Sequence, residues 1–350
     1  MTRFDAFQTD GFDSFRTLGF DARNGPTCVP TTLVAAGRYV YSGLLGGTPA
    51  FTLQSDVAFD ALGRCWSRDS IDINRPAVYD ASGDLLFTGP SQSGNLVDSS
   101  DAGQGKAVFS VLDPVSGRAT KLVCFNADGT LLWSFSNADF RFRVIHYVAG
   151  VVFAGYEDQS IQIPSGGPLT TDARRTLAIN AATGVSLGSV HGMLQSVTPD
   201  IGCVVLEDFD DAGDTPNHEY IRYASDLSTV VWSRDFPTYA GGVDTDTNGV
   251  TWFAQFSTVR SVDGLGSNAS LAVADGVGSF PNIAVDTCRR YTSLYVEGLW
   301  SGTSVSADDY SLTIVPTEGP SIGTHSRTND PSTLANTNRV RINGKWSIFT

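Results

Sequence analysis

The clearest candidate for chemistry is a run of carboxylate and amide side chains, Asp244-Thr-Asp246-Thr-Asn248-Gly249. Oxygen ligands at its first, third and fifth positions, followed by a glycine, match the first half of a calcium-binding loop. The twelfth position is Gln255, whereas such a loop places a bidentate glutamate there. The sequence leaves two alternatives: a hairpin turn without metal, which we favour, and a calcium site with Asp244, Asp246 and Asn248 as ligands. We predict no other cofactor.

A second group of carboxylates lies in the segment 207–214. The acidic side chains within these eight residues are Glu207, Asp208, Asp210, Asp211 and Asp214. Runs of like charge are typical of solvated loops and interaction segments. We interpret this run as an acidic surface loop, and a calcium site or a contact with a basic partner is the alternative.

One motif has the form of a hydrolase nucleophile, Gly319-Pro-Ser321-Ile-Gly323, with His325 and Asp330 close behind. That motif works only where a strand leads into a strained turn and a helix leads out of it. Two prolines and the lack of a helical pattern indicate a plain loop instead. The four histidines show no metal-ligand spacing, and no phosphate-binding glycine loop occurs. We therefore predict no catalytic residues and expect a protein that is not an enzyme.

Composition narrows the class of protein further. The chain has 350 residues, 23 basic and 37 acidic side chains, and a formal net charge of −14. An acidic balance disfavours nucleic acid as a partner, because phosphate binding needs a basic face. No apolar run approaches the roughly 18 residues of a membrane-spanning helix, and the N-terminal segment lacks the basic and apolar regions of a signal peptide. We expect synthesis in a cytoplasm, with neither nucleic acid nor a membrane as partner.

Five cysteines are spread along the chain. They are Cys28, Cys65, Cys124, Cys203 and Cys288, and no two of them form a C-x-x-C pair. An odd number at such wide spacing argues against a disulfide framework or a zinc site. Four of them lie in apolar runs that are typical of strands, so the sequence predicts buried, reduced thiols.

The first 22 residues contain an eight-residue repeat rich in phenylalanine. Phe4-Asp-Ala-Phe7 recurs as Phe12-Asp-Ser-Phe15, and Phe20-Asp-Ala begins a third copy. A period of eight fits neither a helix nor the alternation of a strand, and exposed aromatic pairs are costly in a free monomer. Two alternatives stay open: the aromatic side chains pack on the body of this chain, or they dock on a neighbouring protein. The residues concerned are Phe4, Phe7, Phe12, Phe15 and Phe20.

The elements that follow are short strands and turns without a helical period. A glycine turn followed by an alternating apolar strand recurs about every 45 to 65 residues, near the period that is typical of β-propellers. The copies begin at Gly37, Gly83, Gly150, Gly202 and Gly249, and a weaker one is Ser293–Val296. A four-stranded blade buries little alone, and stacking blades around an axis covers both of its faces. We predict an all-β propeller of about six or seven blades, and a pair of β-sandwiches is the alternative.

Two segments carry a family resemblance. Residues 125–134, Phe-Asn-Ala-Asp-Gly-Thr-Leu-Leu-Trp-Ser, resemble the blade repeat of quinoprotein-like β-propellers, and residues 244–252 resemble the D-x-x-G-x-x-W turn of other propeller repeats. The resemblance implies architecture and not activity, because we find no counterparts of the cofactor-contacting residues of quinoprotein enzymes. Asp128-Gly129 and Asn248-Gly249 are also strong hairpin dipeptides, since such turns need positive φ.

The C-terminal end differs in composition from the body. Residues 316–337 are rich in Ser, Thr, Pro, Asn and Gly and indicate an extended strap. Residues 339–349 predict a hairpin around Asn343-Gly344. This ending resembles the C-terminal V-x-V-x-G-x-W-K segment of bacteriophage tail and virion proteins, and the phenylalanine octads resemble short repeats in phage structural proteins.

The repeats and the two ends predict three parts: an N-terminal arm at 1–27, a propeller body at 28–315, and a C-terminal strap and hairpin at 316–350. The resemblance implies a non-enzymatic structural component of a phage particle, in the tail or the tail-attachment apparatus. Trp346 and Phe349 join the arm phenylalanines as expected contacts with neighbouring subunits. The expected partners are other virion proteins, in several copies of a symmetric assembly, and a host-surface receptor or glycan.

Two other functions stay open on the sequence. A receptor- or carbohydrate-binding propeller can use some of its six tryptophans and eleven tyrosines as stacking surfaces for sugars. A propeller-type lyase or hydrolase needs acid, base or metal ligands that converge in a central channel. The sequence shows no such constellation, and it favours the structural role in a virion.

Overall fold

The chain folds as short strands connected by turns. A computed structural model describes residues 33–36, 39–42, 50–53, 57–60, 62–161, 173–207, 218–236, 240, 242–245, 249–255 and 258–272, and the strands beyond residue 292 that are given below. Thirty β-strands make up the regular secondary structure of these residues. The described part contains no helix that is long and apolar enough to cross a membrane.

The strands are numbered in chain order. The first are β1 (Leu33–Ala36), β2 (Tyr39–Ser42), β3 (Phe51–Thr52), β4 (Ala58–Phe59), β5 (Cys65–Arg68), β6 (Pro76–Tyr79) and β7 (Leu85–Thr88). The next are β8 (Asn95–Asp101), β9 (Ala107–Asp113), β10 (Arg118–Phe125), β11 (Leu131–Ser136), β12 (Phe140–Val148), β13 (Val151–Asp158), β14 (Arg174–Asn180) and β15 (Ser186–His191). These are followed by β16 (Met193–Val197), β17 (Cys203–Leu206), β18 (His218–Tyr223), β19 (Val230–Phe236), β20 (Gly242–Thr245), β21 (Thr251–Gln255), β22 (Thr258–Val262) and β23 (Asn268–Ala272). The last are β24 (Ser293–Val296), β25 (Trp300–Ser301), β26 (Ser304–Val305), β27 (Tyr310–Val315), β28 (Gly323–Arg327), β29 (Arg339–Ile342) and β30 (Lys345–Ile348).

Five antiparallel sheets each contain four consecutive strands. Sheet 1 is β4–β7, sheet 2 is β8–β11, sheet 3 is β12–β15, sheet 4 is β16–β19 and sheet 5 is β20–β23. Within each sheet, every strand pairs with the next one along the chain. The prediction of an all-β fold is confirmed, and four-stranded units are its main building block.

Both ends of the described chain meet in one five-stranded sheet, which we call the terminal sheet. Its strand order is β3-β2-β1-β29-β30, and β1 pairs with β29 through Val34 opposite Ile342. Strands β29 and β30 form the hairpin predicted near the C-terminus. The other described strands form a three-stranded sheet, β24-β27-β28, and a two-stranded sheet, β25-β26.

Strand β28 lies inside the stretch 316–337 for which the sequence predicts a strap. It pairs with β27, so part of that stretch is a sheet strand. Its sequence, Gly-Thr-His-Ser-Arg, does not predict a strand, because these residues lack the apolar alternation by which strands are recognised. The division into arm, body and strap stays a prediction, since residues 1–32 lie outside the described part.

A recurring five-residue turn joins several of these strands. In the turn from Asp80 to Asp84, the N–H of Asp80 donates to the Asp84 carbonyl (3.0 Å) and the N–H of Gly83 donates to the Asp80 carbonyl (3.1 Å). The Asp80 carboxylate accepts the N–H groups of Ser82 (2.8 Å) and Asp84 (3.0 Å). The same backbone bonds, with a positive-φ glycine at the fourth position, occur in the turns that begin at Asp60, Asn126 and Asp263.

Copies of the glycine-and-strand sequence repeat occupy two different positions within the sheets. Gly150, Gly202 and Gly249 precede the second strands of their sheets, β13, β17 and β21, whereas Gly83 precedes the fourth strand of sheet 1, β7. Strand β7 therefore corresponds to β11 in the 125–134 segment. The two kinds of strand look alike in sequence because both are apolar and follow a turn.

The hydrophobic core lies between consecutive sheets. The first strands of sheets 1 to 5 lie beside one another in chain order, and the fourth strands are the more exposed ones. Between sheets 1 and 2, Trp66 and Val78 pack with Phe109, Val123 and Phe125. Burial of each large side chain stabilises the fold by about 1.5–3 kcal/mol. Similar clusters join sheets 2 and 3, sheets 3 and 4, and sheets 4 and 5.

A turn glycine of one sheet lies against an aromatic side chain of the sheet before it. The pairs are Gly83 with Phe51, Gly129 with Phe87 and Gly184 with Trp133. A Cβ on Gly83 would lie 2.6 Å from Cγ of Phe51, which is too close for two carbon atoms. These glycines therefore have two tasks: they adopt positive φ, and they leave room for the ring.

Between sheets 3 and 4 the glycine lies on the strand and the large apolar side chain lies in the turn. Phe87 and Trp133 each stand four residues after the turn glycine, and the residue at that position in sheet 3 is Gly188. The following turn contains Leu227, with φ of 58°, in place of a glycine. A Cβ on Gly188 would lie 3.3 Å from Cδ1 of Leu227. Here the apolar side chain reaches from the turn to the strand.

Candidate functional site

The predicted calcium ligand Asp244 lies in β20 and is 5% exposed. Its Oδ1 accepts the N–H of Thr245 (2.8 Å) and lies 3.5 Å from the Ser196 hydroxyl of sheet 4. Ser196 also donates to Oγ1 of Thr245 (3.1 Å), which lies 3.2 Å from Oγ1 of Thr251. Asp244 therefore belongs to a buried polar network between sheets 4 and 5.

The other two predicted ligands, Asp246 and Asn248, lie outside the described residues. Within the part of the chain that the structure describes, no three His, Cys, Asp or Glu side chains are grouped so that they could hold a metal ion. Calcium binding at this turn stays a prediction. The contacts of Asp244 also give it a structural role, because a buried carboxylate must be satisfied by donors.

The predicted partner-binding residues lie at the two ends of the chain. Those outside the described residues are Phe4, Phe7, Phe12, Phe15, Phe20 and Phe349. Trp346 lies in β30, opposite Arg341 of β29. Because β29 also pairs with β1, Trp346 belongs to the same sheet as the first described strand.

Two further motifs are described only in part. Glu207 follows β17, and its N–H donates to the Glu219 carbonyl (2.9 Å); the rest of the acidic segment lies outside the described residues. Strand β28 begins at Gly323, and His325 lies opposite Leu312. A nucleophile elbow needs a helix at that point, so the strand is incompatible with the hydrolase motif.

A cluster that the sequence reasoning missed surrounds the carboxylate of Glu157 in sheet 3. Arg143 donates to it from Nε and from Nη2, both at 3.1 Å. Nη1 of Arg141 lies 3.8 Å from the same carboxylate. The Glu157 side chain is 7% exposed, whereas those of Arg141 and Arg143 are 37% and 40% exposed. Together with Arg118 we call these residues the arginine cluster.

Strand pairing sets the geometry of the arginine cluster. Arg141 on β12 lies opposite Glu157 on β13, and the register shifts at Arg143, between Phe142 and Val144. Such a bulge turns a side chain away from strict alternation, and here the Arg143 guanidinium lies on Glu157. Arg118 lies at the start of β10 in the neighbouring sheet 2 and is exposed.

The electrostatics of the arginine cluster show that its members act on one another. Burial lowers the pKa of the Arg141 guanidinium, and the positive charge of Arg143 lowers it too; Glu157 raises it, and Arg118 lowers it. The like charges of Arg141 and Arg143 beside a single buried carboxylate produce a local positive field, and this arrangement can hold an anion.

The alternation Phe140-Arg141-Phe142-Arg143 is the sequence signal that could have found half of this cluster. In a strand it places two arginines on one face and two phenylalanines on the other. Phe142 is buried, and Phe140 stacks on Tyr156 with ring centroids 4.0 Å apart. Glu157 comes from the next strand, so only the pairing register could add it.

Three of the five cysteines are described. Cys65, Cys124 and Cys203 are buried free thiols. Burial raises the pKa of Cys124 and of Cys203 to about 12. The prediction of buried, reduced thiols is confirmed for these three, and Cys28 and Cys288 lie outside the described residues.

Comparisons with known proteins show which known fold the chain resembles. No protein-family model matches the chain, and no curated protein matches its sequence. Solved structures do match, among them the Dos1 propeller, with a TM-score of 0.50 and 10% sequence identity over 84% of this chain and 78% of that chain. Similarity at so low an identity concerns the fold and not the function. The chain is therefore an all-β protein whose antiparallel, mostly four-stranded sheets are arranged like those of a β-propeller.

Proposed function

We propose that the protein is a non-enzymatic structural component of a bacteriophage particle, in the tail or the tail-attachment apparatus. A propeller of six or seven blades is its rigid platform, and the two ends of the chain dock on neighbouring subunits. The C-terminal hairpin resembles an ending of bacteriophage tail and virion proteins, and the phenylalanine octads resemble repeats in phage structural proteins. Both resemblances support the place in a virion. The protein is made in the host cytoplasm and is present in several copies.

The observation that carries the proposal is the terminal sheet. Strand β1, which follows the predicted arm, pairs with β29, and β29 pairs with β30, which contains Trp346. Strand β1, which the predicted arm precedes in the chain, and the terminal hairpin therefore belong to the same sheet. A neighbouring subunit can contact both within one area, which must exceed about 1,000 Å² for a stable interface.

Side chains that cross from one sheet to the next support the role of a platform. Arg64 of sheet 1 donates to the carbonyls of Ala127 and Gly105 in sheet 2, both at 2.8 Å. Trp133 of sheet 2 donates from Nε1 to the Ala181 carbonyl in sheet 3 (2.8 Å). Sheets that are hydrogen-bonded as well as packed resist sliding, because buried groups that lose a partner are costly.

The outer strands also present a regular set of apolar side chains. At least one lies on the fourth strand of each of sheets 1 to 4, and they are between 43% and 55% exposed: Leu85, Leu86, Leu131, Leu187 and Val230. Apolar side chains that recur at the edge of a molecule favour contacts with other proteins. Their recurrence from sheet to sheet supports assembly with neighbours.

Deletion of residues 1–24 tests the proposal. The deletion ends before β1, so we expect the truncated protein to keep the circular dichroism spectrum and the Tm of the full chain. We also expect it to be missing from particles purified from cells that make it, as measured by mass spectrometry. Normal incorporation of the truncated protein would contradict docking by the arm.

Two full-length variants distinguish the effect of the aromatic side chains on incorporation from the effect of the length of the arm. Replacing Phe4, Phe7, Phe12, Phe15 and Phe20 by serine should prevent incorporation as the deletion does. Replacing Asp5, Asp13 and Asp21 of the same octads by asparagine is the matched control and should leave incorporation unchanged. If the unaltered chain is itself absent from purified particles, the virion assignment is wrong.

A further inference from the structure

The geometry of the arginine cluster points to a carboxylate-binding site, and we propose that it holds acidic side chains of a neighbouring protein subunit. That the partner is a protein rests on the proposed function, whereas the site rests on the cluster alone. Its residues are Arg118, Arg141, Arg143 and Glu157. None of them belongs to the terminal sheet, so this contact is distinct from docking by the arm.

The charges of the cluster do not balance. Arg141 and Arg143 both lie at the single carboxylate of Glu157, and the charge of Arg118 in the neighbouring sheet also acts on Arg141, in a chain whose formal net charge is −14. Arg143 already forms a bidentate pair with Glu157. Arg141 approaches that carboxylate only to 3.8 Å, which is longer than a hydrogen bond. Arg118 lies opposite Asp113 of β9, so a second carboxylate beside Arg141 would restore the balance.

The arginines of the cluster are accessible to solvent, and its carboxylate is not. Glu157 is almost completely buried, while Arg141 and Arg143 are more than one third exposed. A ligand therefore meets the guanidinium groups first, with Glu157 behind them. The buried carboxylate fixes the direction of Arg143 before any ligand arrives, and a preorganised group loses less freedom on binding.

The chemistry of the guanidinium group selects the ligand. Its planar fork of N–H donors matches the two oxygens of a carboxylate, and the Arg143–Glu157 pair shows this geometry within the cluster. The lowered pKa of Arg141 reflects burial and the like charges of Arg143 and Arg118. An additional carboxylate offsets that repulsion, and this makes binding favourable.

Assembly of acidic subunits explains the choice of a protein partner. Copies with a net charge of −14 repel one another over most of their surface. A local basic patch that meets an acidic segment gives an attractive contact and fixes the orientation of the two subunits. The site would thus select where an acidic neighbour docks on this face.

Binding of a fluorescently labelled hexaglutamate peptide to the full-length protein, followed by anisotropy at low ionic strength, tests the site. We expect Arg118→Gln and Arg141→Gln each to weaken binding by about two- to fivefold. Added salt should weaken it further, because exposed charges are screened. Lys106→Gln, which removes a positive charge in the turn between β8 and β9, is the control and should leave the affinity unchanged.

Glu157→Gln gives a change of opposite sign. It removes the negative charge of the cluster while keeping its shape, so the peptide should bind more tightly than to the unaltered protein. A cluster with only a structural role would not produce opposite effects from the two kinds of variant. Circular dichroism shows whether Glu157→Gln has kept its fold. The result for Arg118→Gln does not depend on this control, because the substitution alters an exposed side chain.

Two results would overturn the inference. Equal affinity for the unaltered protein, Arg118→Gln, Arg141→Gln and Lys106→Gln would show that the cluster is not the site. Tighter binding of an oligogalacturonate than of hexaglutamate would show that the ligand is an acidic glycan and not a protein. Neither result bears on the deletion of residues 1–24, so failure of this site and failure of the proposed function are distinguishable.

Discussion

At the scale of single residues, arginine joins one sheet to the next. Arg222 of sheet 4 is 5% exposed, and it donates to the Gly249 carbonyl of sheet 5 (3.1 Å) and to both carboxylate oxygens of Asp200 (3.0 Å each). Arg234 donates from Nε to the Gly266 carbonyl of sheet 5 (3.1 Å). A guanidinium group can satisfy a carbonyl and a carboxylate at once, and an ammonium group has no such fork. The excess of arginine over lysine, 20 to 3, thus has a structural use.

Arg222→Met is expected to lower the free energy of unfolding by about 2–3 kcal/mol, because the Gly249 carbonyl and Asp200 lose their shared donor. Urea unfolding followed by tryptophan fluorescence measures the change. Arg118→Met is the matched control, since Arg118 is exposed, and it should change stability by less than about 0.5 kcal/mol. A loss at Arg222 no larger than that of the control would contradict a bridging role.

At the scale of elements, the unit is a turn followed by an outer strand. The turn provides a positive-φ glycine, and the strand provides an apolar side chain for the turn of the next sheet. The pair Gly188 and Leu227 shows that the contact between neighbouring sheets is kept even when the two roles are exchanged. What is required is one small and one large residue at each contact, whichever element carries them.

Gly83→Ala and Gly63→Ala separate the backbone role of a turn glycine from its packing role. Each glycine occupies the fourth position of a separate copy of the five-residue turn in sheet 1, with φ of 89° at Gly83 and 75° at Gly63. A Cβ at Gly63 meets nothing within 4 Å, whereas one at Gly83 meets Phe51. We expect Gly63→Ala to cost about 1–2 kcal/mol from backbone strain alone.

Gly83→Ala should cost about 1–3 kcal/mol more than Gly63→Ala, because the ring of Phe51 must move. The free energies come from urea unfolding of the two variants under the same conditions. Equal losses would mean that the ring adjusts without cost and that the contact does not hold the sheets together.

At the scale of the whole molecule, stability comes from interfaces that repeat from sheet to sheet. Each of the large buried clusters draws side chains from two consecutive sheets. The terminal sheet joins strands that are about 300 residues apart in the chain, Val34 pairing with Ile342. Such long-range pairing is entropically costly to form, and it makes the first and last described strands depend on each other.

The buried thiols report whether the sheets unfold together. Cys65, Cys124 and Cys203 lie in sheets 1, 2 and 4. Burial holds the pKa of Cys124 and Cys203 at about 12, so at pH 8 they are protonated and covered, and they react only after opening. If the body unfolds cooperatively, iodoacetamide should label all three with one urea midpoint, as measured by mass spectrometry of peptides.

Separate labelling midpoints for the three cysteines would show that the sheets open as independent units. The fully unfolded chain in concentrated urea serves as the reference, because all three thiols are then equally accessible. A single domain at 28–315 is compatible only with coincident midpoints.

Apolar strands and their turns could be predicted because their signals are local, whereas the polar strand β28 could not. The weak repeat copy Ser293–Val296 is strand β24, and the hairpin predicted for 339–349 is formed by β29 and β30. The arginine cluster could not be predicted, because Arg141 and Glu157 are 16 residues apart and meet through the pairing of β12 with β13. Spacing alone suggests the metal ligand set, and the structure adds a structural role for Asp244 that spacing does not show.

The amino-acid sequence by itself determined the class of the fold and the kind of element, since alternation, glycine turns and a repeat of blade length depend on neighbours along the chain. It also predicted burial of the three described cysteines, because they stand in apolar strands. Only the tertiary structure decided which strands pair across the ends of the chain, which turn glycine meets which ring, and which arginines surround Glu157. Those choices depend on register and on packing between sheets, where residues distant in sequence compete for the same partner.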